Sequence, residues 1–293
     1  MNNKPNLFIV GAARCGTTSL YHYLRQHDDI FFSPKKEPRH FQWDYFKHNW
    51  YNNIKKKSYS KEVDYLKLFE TNSNYKYYAE ASPSYLYAYE SSSQIKKKYP
   101  DAKILIILRN PIDRCFSNYT LRVTRGVEKL SFEECLEYEL PFLKKRREGS
   151  RHFIREGFYF EGINAYKKVF GKNVKILLYD NLKSDANSLI SSILDFLELN
   201  HVKKIHTNFI TMQSKFKKNE SFFRFKKSKL GRIIISFIPL NMRFTIKTFL
   251  NSKVFNKNFK MDLDTRIKLI NIYKDDILKT SKLINRDLSH WLD

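Results

Sequence analysis

The residues best suited to chemistry stand near the start of the chain. An apolar run ends at Gly11, a short loop containing Arg14 follows, and Gly16-Thr17-Thr18 opens a helical pattern. A strand, a glycine-bounded loop and a helix N-terminus together form a cradle, in which backbone N–H groups and the helix dipole attract a phosphate or sulfate. The glycine spacing is that of a nucleotide-binding P-loop, but Thr17 stands where that motif has lysine. The loop therefore predicts an anion site that is not built for a triphosphate with magnesium.

A second group of polar residues follows the apolar run ILIIL. Arg109 ends that run, Pro111 suits the first position of a helix, and Ser117 lies about two turns into the helix. A cation at the end of a buried strand is costly unless it meets an anion. The arginine and the hydroxyl therefore predict a second anion site close to the first.

Two kinds of hydrophobic pattern alternate along the chain and position these residues. The strand patterns are Leu7–Val10, Lys76–Glu80, Lys103–Leu108 and Val174–Leu178. The helical patterns are Thr17–Gln26, Glu90–Lys98, Pro111–Thr124, Phe132–Arg147, Phe158–Val169, Ala186–Leu197 and, after a further one near Leu230, Leu263–Ile284. The alternation predicts an α/β fold of the P-loop type, a three-layer sandwich with a central parallel sheet flanked by helices, in one domain over residues 1–293. Ligands bind at the carboxyl ends of such strands, so we expect the chemistry just after Val10, Glu80 and Leu108.

The composition is that of a globular chain from a reducing compartment. A hydrophobic content of 42% excludes a disordered chain. The longest apolar stretch, Ile233–Leu240, is far shorter than the roughly 20 residues that span a bilayer. The first residues lack the apolar segment of a signal peptide, and three cysteines show neither paired nor metal-like spacing. We therefore expect a cytoplasmic location.

Positive charge is concentrated in the last third of the chain. The net charge is +24, and residues 203–260 contain 15 Lys or Arg against the single acid Glu220. Such a surface attracts polyanions, although a lysine-rich composition that only keeps the protein soluble would look the same. We expect this segment to contact an anionic membrane surface or an acidic polymer, and no specific nucleic acid as a partner.

Five segments of the chain resemble the sulfotransferases that use 3′-phosphoadenosine 5′-phosphosulfate (PAPS). The loop GAARCGTTSL resembles the 5′-phosphosulfate loop of that family, and RNPIDRCFSNY resembles its 3′-phosphate motif. EASPSYL, the stretch from EGFY to DFLEL, and RDLSHWL are similar to further family elements. The resemblance implies transfer of a sulfuryl group from PAPS to an acceptor hydroxyl, with adenosine 3′,5′-bisphosphate (PAP) as product and without a metal.

The resemblance also implies roles for the two anion sites. Residues of the first loop would hold the 5′-phosphosulfate, namely Arg14, Cys15, Gly16, Thr17, Thr18 and Ser19. Arg109 and Ser117 would bind the 3′-phosphate, the arginine through paired hydrogen bonds. Arg14 would in addition neutralise charge on the bridging oxygen as the sulfuryl group leaves.

The segment SPKKEPRHF contains the candidate base. It resembles the K-E-x-x-x-F region of glycan-type sulfotransferases, and Glu37 is there the implied general base and contacts the acceptor. Neighbouring cations would lower the pKa of Glu37, which keeps it ionised and makes it a weaker base. His40 is the alternative base, because imidazole titrates near neutrality. A surface salt bridge with Lys35 or Lys36 is the structural alternative for Glu37.

The chain departs from the glycan-type pattern in two places. Glu80 is followed by Ala81, where that pattern has lysine, so no second active-site cation is assigned there. Ser82 and Tyr85 are expected to line the acceptor cleft, with a capping serine and a core tyrosine as the alternatives. The family's late loop, which closes over the cofactor, has no clean match, and we expect residues 203–227 to replace it, through Lys215, Lys217 or Lys218.

Two other functions fit parts of the sequence. A small-molecule kinase or other NTPase fits the loop, but not Thr17 or a strand that ends in Arg109. A polyanion-binding protein with a vestigial nucleotide site fits residues 203–260 and leaves both anion motifs unexplained. We expect a sulfotransferase whose acceptor is a hydroxyl of a sugar or glycoconjugate.

Overall fold

One parallel sheet forms the centre of the molecule. The computed structural model describes residues 3–42, 59–143, 152–201, 205–207 and 260–293 of the 293-residue chain. Within these ranges five strands pair in the order β2-β3-β1-β4-β5, and every neighbouring pair is parallel. The strands are β1 (Leu7–Gly11), β2 (Ile30–Phe32), β3 (Tyr77–Ala81), β4 (Lys103–Leu108) and β5 (Val174–Leu178). All five carboxyl ends therefore lie at the same edge of the sheet.

The central strand β1 is buried completely, as its unbroken apolar run predicts. Its first four residues have no exposed surface. In the sheet, Ile9 is level with Ala81 of β3, and Gly11 is level with Ile106 of β4. The loops that follow these three strands consequently meet above the centre of the sheet.

Helices flank the sheet and fill the connections between the strands. Their bounds are α1 (Thr17–Leu24), α2 (Glu62–Leu66), α3 (Ser91–Lys98), α4 (Pro111–Thr124), α5 (Phe132–Glu139), α6 (Phe160–Phe170), α7 (Tyr179–Ser184), α8 (Ala186–Phe196) and α9 (Leu263–Ile284). Helix α6 packs against α3 and α9, and α9 also packs against α4. The predicted fold class, an α/β sandwich with a central parallel sheet, is confirmed.

The sequence prediction misses strand β2 and the short helices α2 and α7, and it extends helix α5 too far. Strand β2 is not predicted, because three residues are too few to show a period, and it forms by pairing with β3. Helix α5 ends at Glu139 rather than at Arg147, and the tighter turn Leu140–Phe142 follows. Pro141 in that turn lacks the N–H that an α-helix needs. Residues 144–147, and almost all of the basic segment 203–260, lie outside the described residues.

The residues after α9 pack against the start of α4. Ser289–Trp291 form a short 3₁₀-helix, and Trp291 is only 1% exposed. The Trp291 carbonyl accepts a hydrogen bond from Asn110 Nδ2 at 3.2 Å, and its indole Nε1 donates to Asp180 at 3.4 Å. The first contact holds the turn between β4 and α4, and the second holds the indole against α7.

Among the helices of the described ranges, none combines the length and the apolar character that crossing a bilayer requires.

Candidate functional site

A cleft of about 440 Å³ opens at the carboxyl edge of the sheet. It is lined by the loop after β1, the start of α1, the loop after β2, and residues that follow β3, β4 and β5. The lining residues are Ala13, Arg14, Gly16, Thr17, Thr18, Ser19, Lys36, Glu37, Pro83, Arg109, Ser117, Leu121, Arg125 and Tyr179. Both predicted anion sites and the candidate base thus belong to a single cleft.

The loop after β1 turns sharply at Gly16 and presents the N-terminus of α1 to the cleft. Gly16 has a φ of 96°, a left-handed conformation in which glycine is favoured. A Cβ at this position would lie 2.8 Å from Leu182 and 3.0 Å from Tyr179. No side chain caps the N-terminus of α1, so the N–H groups of its first turn remain available to an anion.

Arg14 connects this loop to the second anion site. Its Nε and Nη2 atoms donate hydrogen bonds to Ser117 Oγ at 3.2 and 2.9 Å. Burial, and then the like charges of Arg109 and Arg125, lower the pKa of Arg14 to about 10. Three guanidinium groups therefore raise the positive potential of the cleft, and an anion bound there would relieve their repulsion.

Arg109 is held at the end of β4 by contacts on both sides. Its guanidinium lies 5.0 Å from the centroid of the Tyr179 ring, and its carbonyl accepts a hydrogen bond from Tyr159 at 2.9 Å. The next residue, Asn110, caps α4 by accepting the N–H of Ile112 at 2.9 Å. The cap holds the start of α4 at the end of β4, and Ser117, two turns into that helix, lines the same cleft as Arg109.

Glu37 lies between two cations on the wall of the cleft. Its Oε1 is 3.2 Å from Lys36 Nζ, and its Oε2 pairs with the guanidinium of Arg39. Burial raises the pKa of Glu37, but the charges and hydrogen bonds of Lys36 and Arg39 outweigh it, so the pKa lies below its usual range. The side chain is 34% exposed. Glu37 is therefore ionised and accessible from the cleft.

Comparison with known families matches residues 5–203 to the model of the Sulfotransferase family. The chain belongs to the sulfotransferase family. Its structure is also similar to the crystal structure of a sulfotransferase from Alicyclobacillus acidocaldarius, with a TM-score of 0.74 and 29% identity. That similarity covers 99% of this chain and 100% of the other. The predicted family and the predicted enzyme class are confirmed, and the predicted donor, PAPS, agrees with both.

Curated relatives of the sulfotransferase include enzymes of heparan sulfate. It is 25% identical over 204 residues to the human heparan sulfate glucosamine 3-O-sulfotransferase 3B1. It is 26% identical over 211 residues to the bifunctional heparan sulfate N-deacetylase/N-sulfotransferase 1 of Xenopus laevis. These matches cover 68% and 69% of this chain, but 47% and 23% of the two relatives. The chain thus spans less than half the length of these curated relatives.

Two residues predicted for the site of the sulfotransferase lie away from the cleft. Cys15 faces the core with no exposed surface, and its Sγ is 3.6 Å from the Tyr159 hydroxyl. His40 stacks on the Tyr65 ring at 4.3 Å, and its Nδ1 is 2.6 Å from the Tyr59 carbonyl. Burial lowers the pKa of His40. Only the backbone of Cys15 can therefore contribute to the anion-binding loop. His40 is not among the residues that line the cleft.

Ser82 and Tyr85 do not line the cleft either, because both turn inward. Each has no exposed surface. The Ser82 hydroxyl donates to Glu80 at 3.1 Å, and the Tyr85 hydroxyl accepts the N–H of Phe41 at 3.2 Å. The alternatives of a structural serine and a core tyrosine describe them better than the predicted acceptor contacts. The predicted replacements for the late loop, residues 215, 217 and 218, lie outside the described residues.

Three polar residues line the cleft without having been assigned to it from the sequence. Tyr179 follows the last residue of β5, so the rule that ligands bind at the carboxyl ends of strands could have identified it. Lys36 precedes Glu37 and pairs with it. Arg125 is the exposed residue directly after α4, about two turns beyond Ser117, and the periodicity of that helix places it on the same side.

Proposed function

We propose that this sulfotransferase moves a sulfuryl group from PAPS to an acceptor hydroxyl, with Glu37 as the general base. The observation that carries the proposal is the contact between Arg14 and Ser117, which joins two anion subsites in one cleft. PAPS carries a 5′-phosphosulfate and a separate 3′-phosphate, so it needs two such subsites on a common wall. A triphosphate needs one continuous site.

The donor subsites follow from the groups that each wall offers. The first turn of α1 offers backbone N–H groups and hydroxyls to the 5′-phosphosulfate. Arg109 and Ser117 offer a guanidinium and a hydroxyl to the 3′-phosphate. Arg14 occupies only acceptor positions of Ser117 Oγ, so the hydroxyl hydrogen of Ser117 is left to donate to a phosphate oxygen.

The transfer step needs a positioned acceptor and stabilisation of the leaving group. The acceptor oxygen attacks sulfur in line, the bond from sulfur to the bridging oxygen of the phosphate breaks, and PAP leaves with that electron pair. Glu37 takes the proton of the attacking hydroxyl, and Arg14 neutralises charge that develops on the bridging oxygen. Most of the acceleration then comes from orientation and electrostatics, as in phosphoryl transfer.

A sugar hydroxyl is the acceptor that the observations favour. Two curated relatives are sulfotransferases of heparan sulfate by name, and heparan sulfate is an acidic polysaccharide. The cleft continues beyond Ser117 to the exposed guanidinium of Arg125, and Lys36 stands beside the base. Cations in these places favour an acceptor that carries carboxylates or sulfates of its own.

Binding of the product tests the donor. We would measure the affinities of PAP, 5′-AMP, ADP and ATP–magnesium by calorimetry, for the wild type and for Arg109→Ala and Ser117→Ala. Losing one charge-assisted hydrogen bond costs about 1.5–3 kcal/mol, so each variant should bind PAP about 10- to 150-fold more weakly. Binding of 5′-AMP should be unchanged in Arg109→Ala, and in Ser117→Ala it should weaken less than binding of PAP, because Arg14 there loses Ser117 as an acceptor. Arg286→Ala is the control, because it removes an exposed positive charge that does not line the cleft. Tight ATP–magnesium binding that is indifferent to the 3′-phosphate would favour a kinase and overturn the proposal.

Turnover tests the acceptor and the base. With PAPS as donor, we expect sulfation of unsulfated heparosan oligosaccharides and little sulfation of simple phenols. Glu37→Gln should lower kcat about 10²- to 10⁴-fold and leave the affinity for PAP unchanged, because a general base acts only on the acceptor proton. A variant that retains wild-type kcat would remove Glu37 from the reaction.

A further inference from the structure

The loop that carries Glu37 is attached to β3 by the Glu37 N–H, which donates to the Ala81 carbonyl at 3.0 Å, and beyond Glu37 by two buried hydroxyl groups. The N–H of Arg39 donates to Ser82 Oγ at 3.1 Å, and the N–H of Phe41 donates to the Tyr85 hydroxyl at 3.2 Å. Glu37 and Arg39 have φ angles of 61° and 60°, which side-chain-bearing residues adopt only when their surroundings hold them. The two hydroxyl contacts therefore maintain a loop conformation that the backbone alone disfavours.

Both hydroxyls meet the same buried carboxylate. Glu80, in β3, is 1% exposed and accepts hydrogen bonds from Ser82 Oγ and from the Tyr65 hydroxyl, each at 3.1 Å. The Tyr85 hydroxyl is a third hydrogen-bond partner of Glu80. A hydroxyl has a single hydrogen. Because Ser82 and Tyr85 direct their hydroxyl hydrogens to Glu80, their lone pairs face the loop and accept its N–H groups.

We propose that Glu80 is a positioning residue whose ionised carboxylate orients Ser82 and Tyr85 and thereby holds the loop that presents Glu37. When Glu80 takes up a proton, it must donate a hydrogen bond of its own. If Ser82 or Tyr85 accepts that hydrogen bond, its own hydrogen must turn away from Glu80. In this buried cluster that hydrogen then either opposes the loop N–H or is left without an acceptor, and both outcomes weaken the attachment of the loop. This proposal rests on the proposed function only where it predicts an effect on turnover. The contacts of Glu80 themselves do not depend on the role of Glu37.

The groups around Glu80 make this protonation relevant near neutral pH. Burial raises the pKa of Glu80 to about 7, although hydrogen bonds from three hydroxyls oppose that rise. The titratable groups that face it are the phenols of Tyr65, Tyr85, Tyr99 and Tyr166, and burial raises the pKa of each, so they stay neutral. With a pKa of about 7, Glu80 is roughly 10% ionised at pH 6 and roughly 90% ionised at pH 8.

Glu37 does not titrate in this range, because its pKa lies below the ordinary carboxyl value. A loss of activity between pH 8 and pH 6 would therefore report the release of the loop rather than protonation of the base. Glu80 acts through Ser82 and Tyr85, and it does not line the cleft itself.

Amide hydrogen exchange of residues 37–41 tests the proposal without any ligand. After correction for the intrinsic rate, the exchange of the Arg39 and Phe41 amides should slow about ninefold from pH 6 to pH 8, as the fraction of ionised Glu80 rises. Amides of β4 should show no such change. In Glu80→Gln the pH dependence should disappear, whereas in Glu37→Gln it should persist. Exchange that is independent of pH in the wild type, or pH dependence that Glu37→Gln abolishes, would overturn the proposal.

Two milder variants keep the test decisive if Glu80→Gln folds poorly. Ser82→Ala removes the acceptor of Arg39 alone, so the Arg39 amide should lose its protection while the Phe41 amide keeps it. Tyr65→Phe removes a hydrogen bond to Glu80 from a residue that makes none to the loop N–H groups, so the midpoint of the pH dependence should move upward. Equal loss of protection at both amides in Ser82→Ala would contradict the separate attachments.

Measurements of kcat against pH complete the test. Together with PAP binding, they separate the role of Glu80 from the assignment of the donor. The acid limb of the kcat profile should flatten in Glu80→Gln, and its affinity for PAP should match that of the wild type. Failure of the wild type to bind PAP would refute the proposed function and leave the exchange result standing. Tight binding of PAP together with an unchanged acid limb in Glu80→Gln would refute the role of Glu80 alone.

Discussion

Replacing Arg114 with methionine should destabilise the protein in a manner that depends on pH. Arg114 has no exposed surface, and its Nη1 is 3.1 Å from Glu156 Oε2. Its Nη2 donates to the carbonyl of Phe153. Asn118 Nδ2 also donates a hydrogen bond to Glu156, at 3.4 Å. Among the described residues, the variant therefore leaves Glu156, whose side chain is only 12% exposed, with the weaker hydrogen bond from Asn118 and the more distant charges of Arg39 and Arg122.

The size of the effect follows from this uncompensated charge. Removing one partner of a buried ion pair costs about 3–5 kcal/mol, against a total stability of about 5–15 kcal/mol for a domain. Burial already raises the pKa of Glu156, and Arg114 is the strongest influence that lowers it. Without Arg114 the folded pKa rises further above the unfolded value. Protonation of Glu156 then contributes stability to the variant. This contribution is fully present below the unfolded pKa and is lost as the pH rises through the folded pKa.

Urea denaturation of the wild type and Arg114→Met at pH 5.5 and pH 8 measures both quantities. We expect the larger loss at pH 8, at a magnitude of about 3–5 kcal/mol, and a smaller loss at pH 5.5. The double variant Arg114→Met/Glu156→Gln removes both charges and should recover more than half of the loss at pH 8. An equal loss at the two pH values, or a double variant less stable than the single one, would refute this account of the pair.

Two further changes probe the frame of the donor site. Gly16→Ala should lower stability by about 1–3 kcal/mol and weaken PAP binding, because the added methyl group meets Tyr179. Gly126→Ala is the control for backbone strain alone, since Gly126 has a φ of 66° and a Cβ there would have nothing within 4 Å. Equal losses of stability in the two variants would show that the clash with Tyr179 does not contribute. Trp291→Ala should cost about 3–5 kcal/mol by chemical denaturation. It should also weaken PAP more than 5′-AMP, because the carbonyl of residue 291, to which Asn110 donates, is no longer held in place by the buried indole. Unchanged selectivity would contradict this link.

The fold was predictable where local signals and buried periodicity agree. The bounds of α4, α9, β4 and β5 match their sequence patterns residue for residue. Helix α4 begins at Pro111 after a capping asparagine, and such signals are local. Strand β2 forms only by pairing with β3, and its three residues are too few to show the alternating pattern that would predict a strand.

The site was predictable at the backbone and less so for side chains that face inward. The loop residues and Arg109 reach the cleft because strand ends in a parallel sheet share one edge. Ser82 and Tyr85 follow such an end as well, but a 3₁₀ turn over Pro83–Tyr85 directs them toward Glu80. The direction of a side chain after a strand depends on the turn and on its buried partners, and neither can be read from spacing.

The contact between Asn110 and Trp291 can form only late during synthesis of the chain. The two residues are 181 positions apart, which corresponds to about 10–35 s of translation at 5–20 residues per second. Throughout that interval the turn that presents Arg109 lacks its cover. A nascent chain therefore exposes the proposed 3′-phosphate subsite before Trp291 can hold the turn beside it.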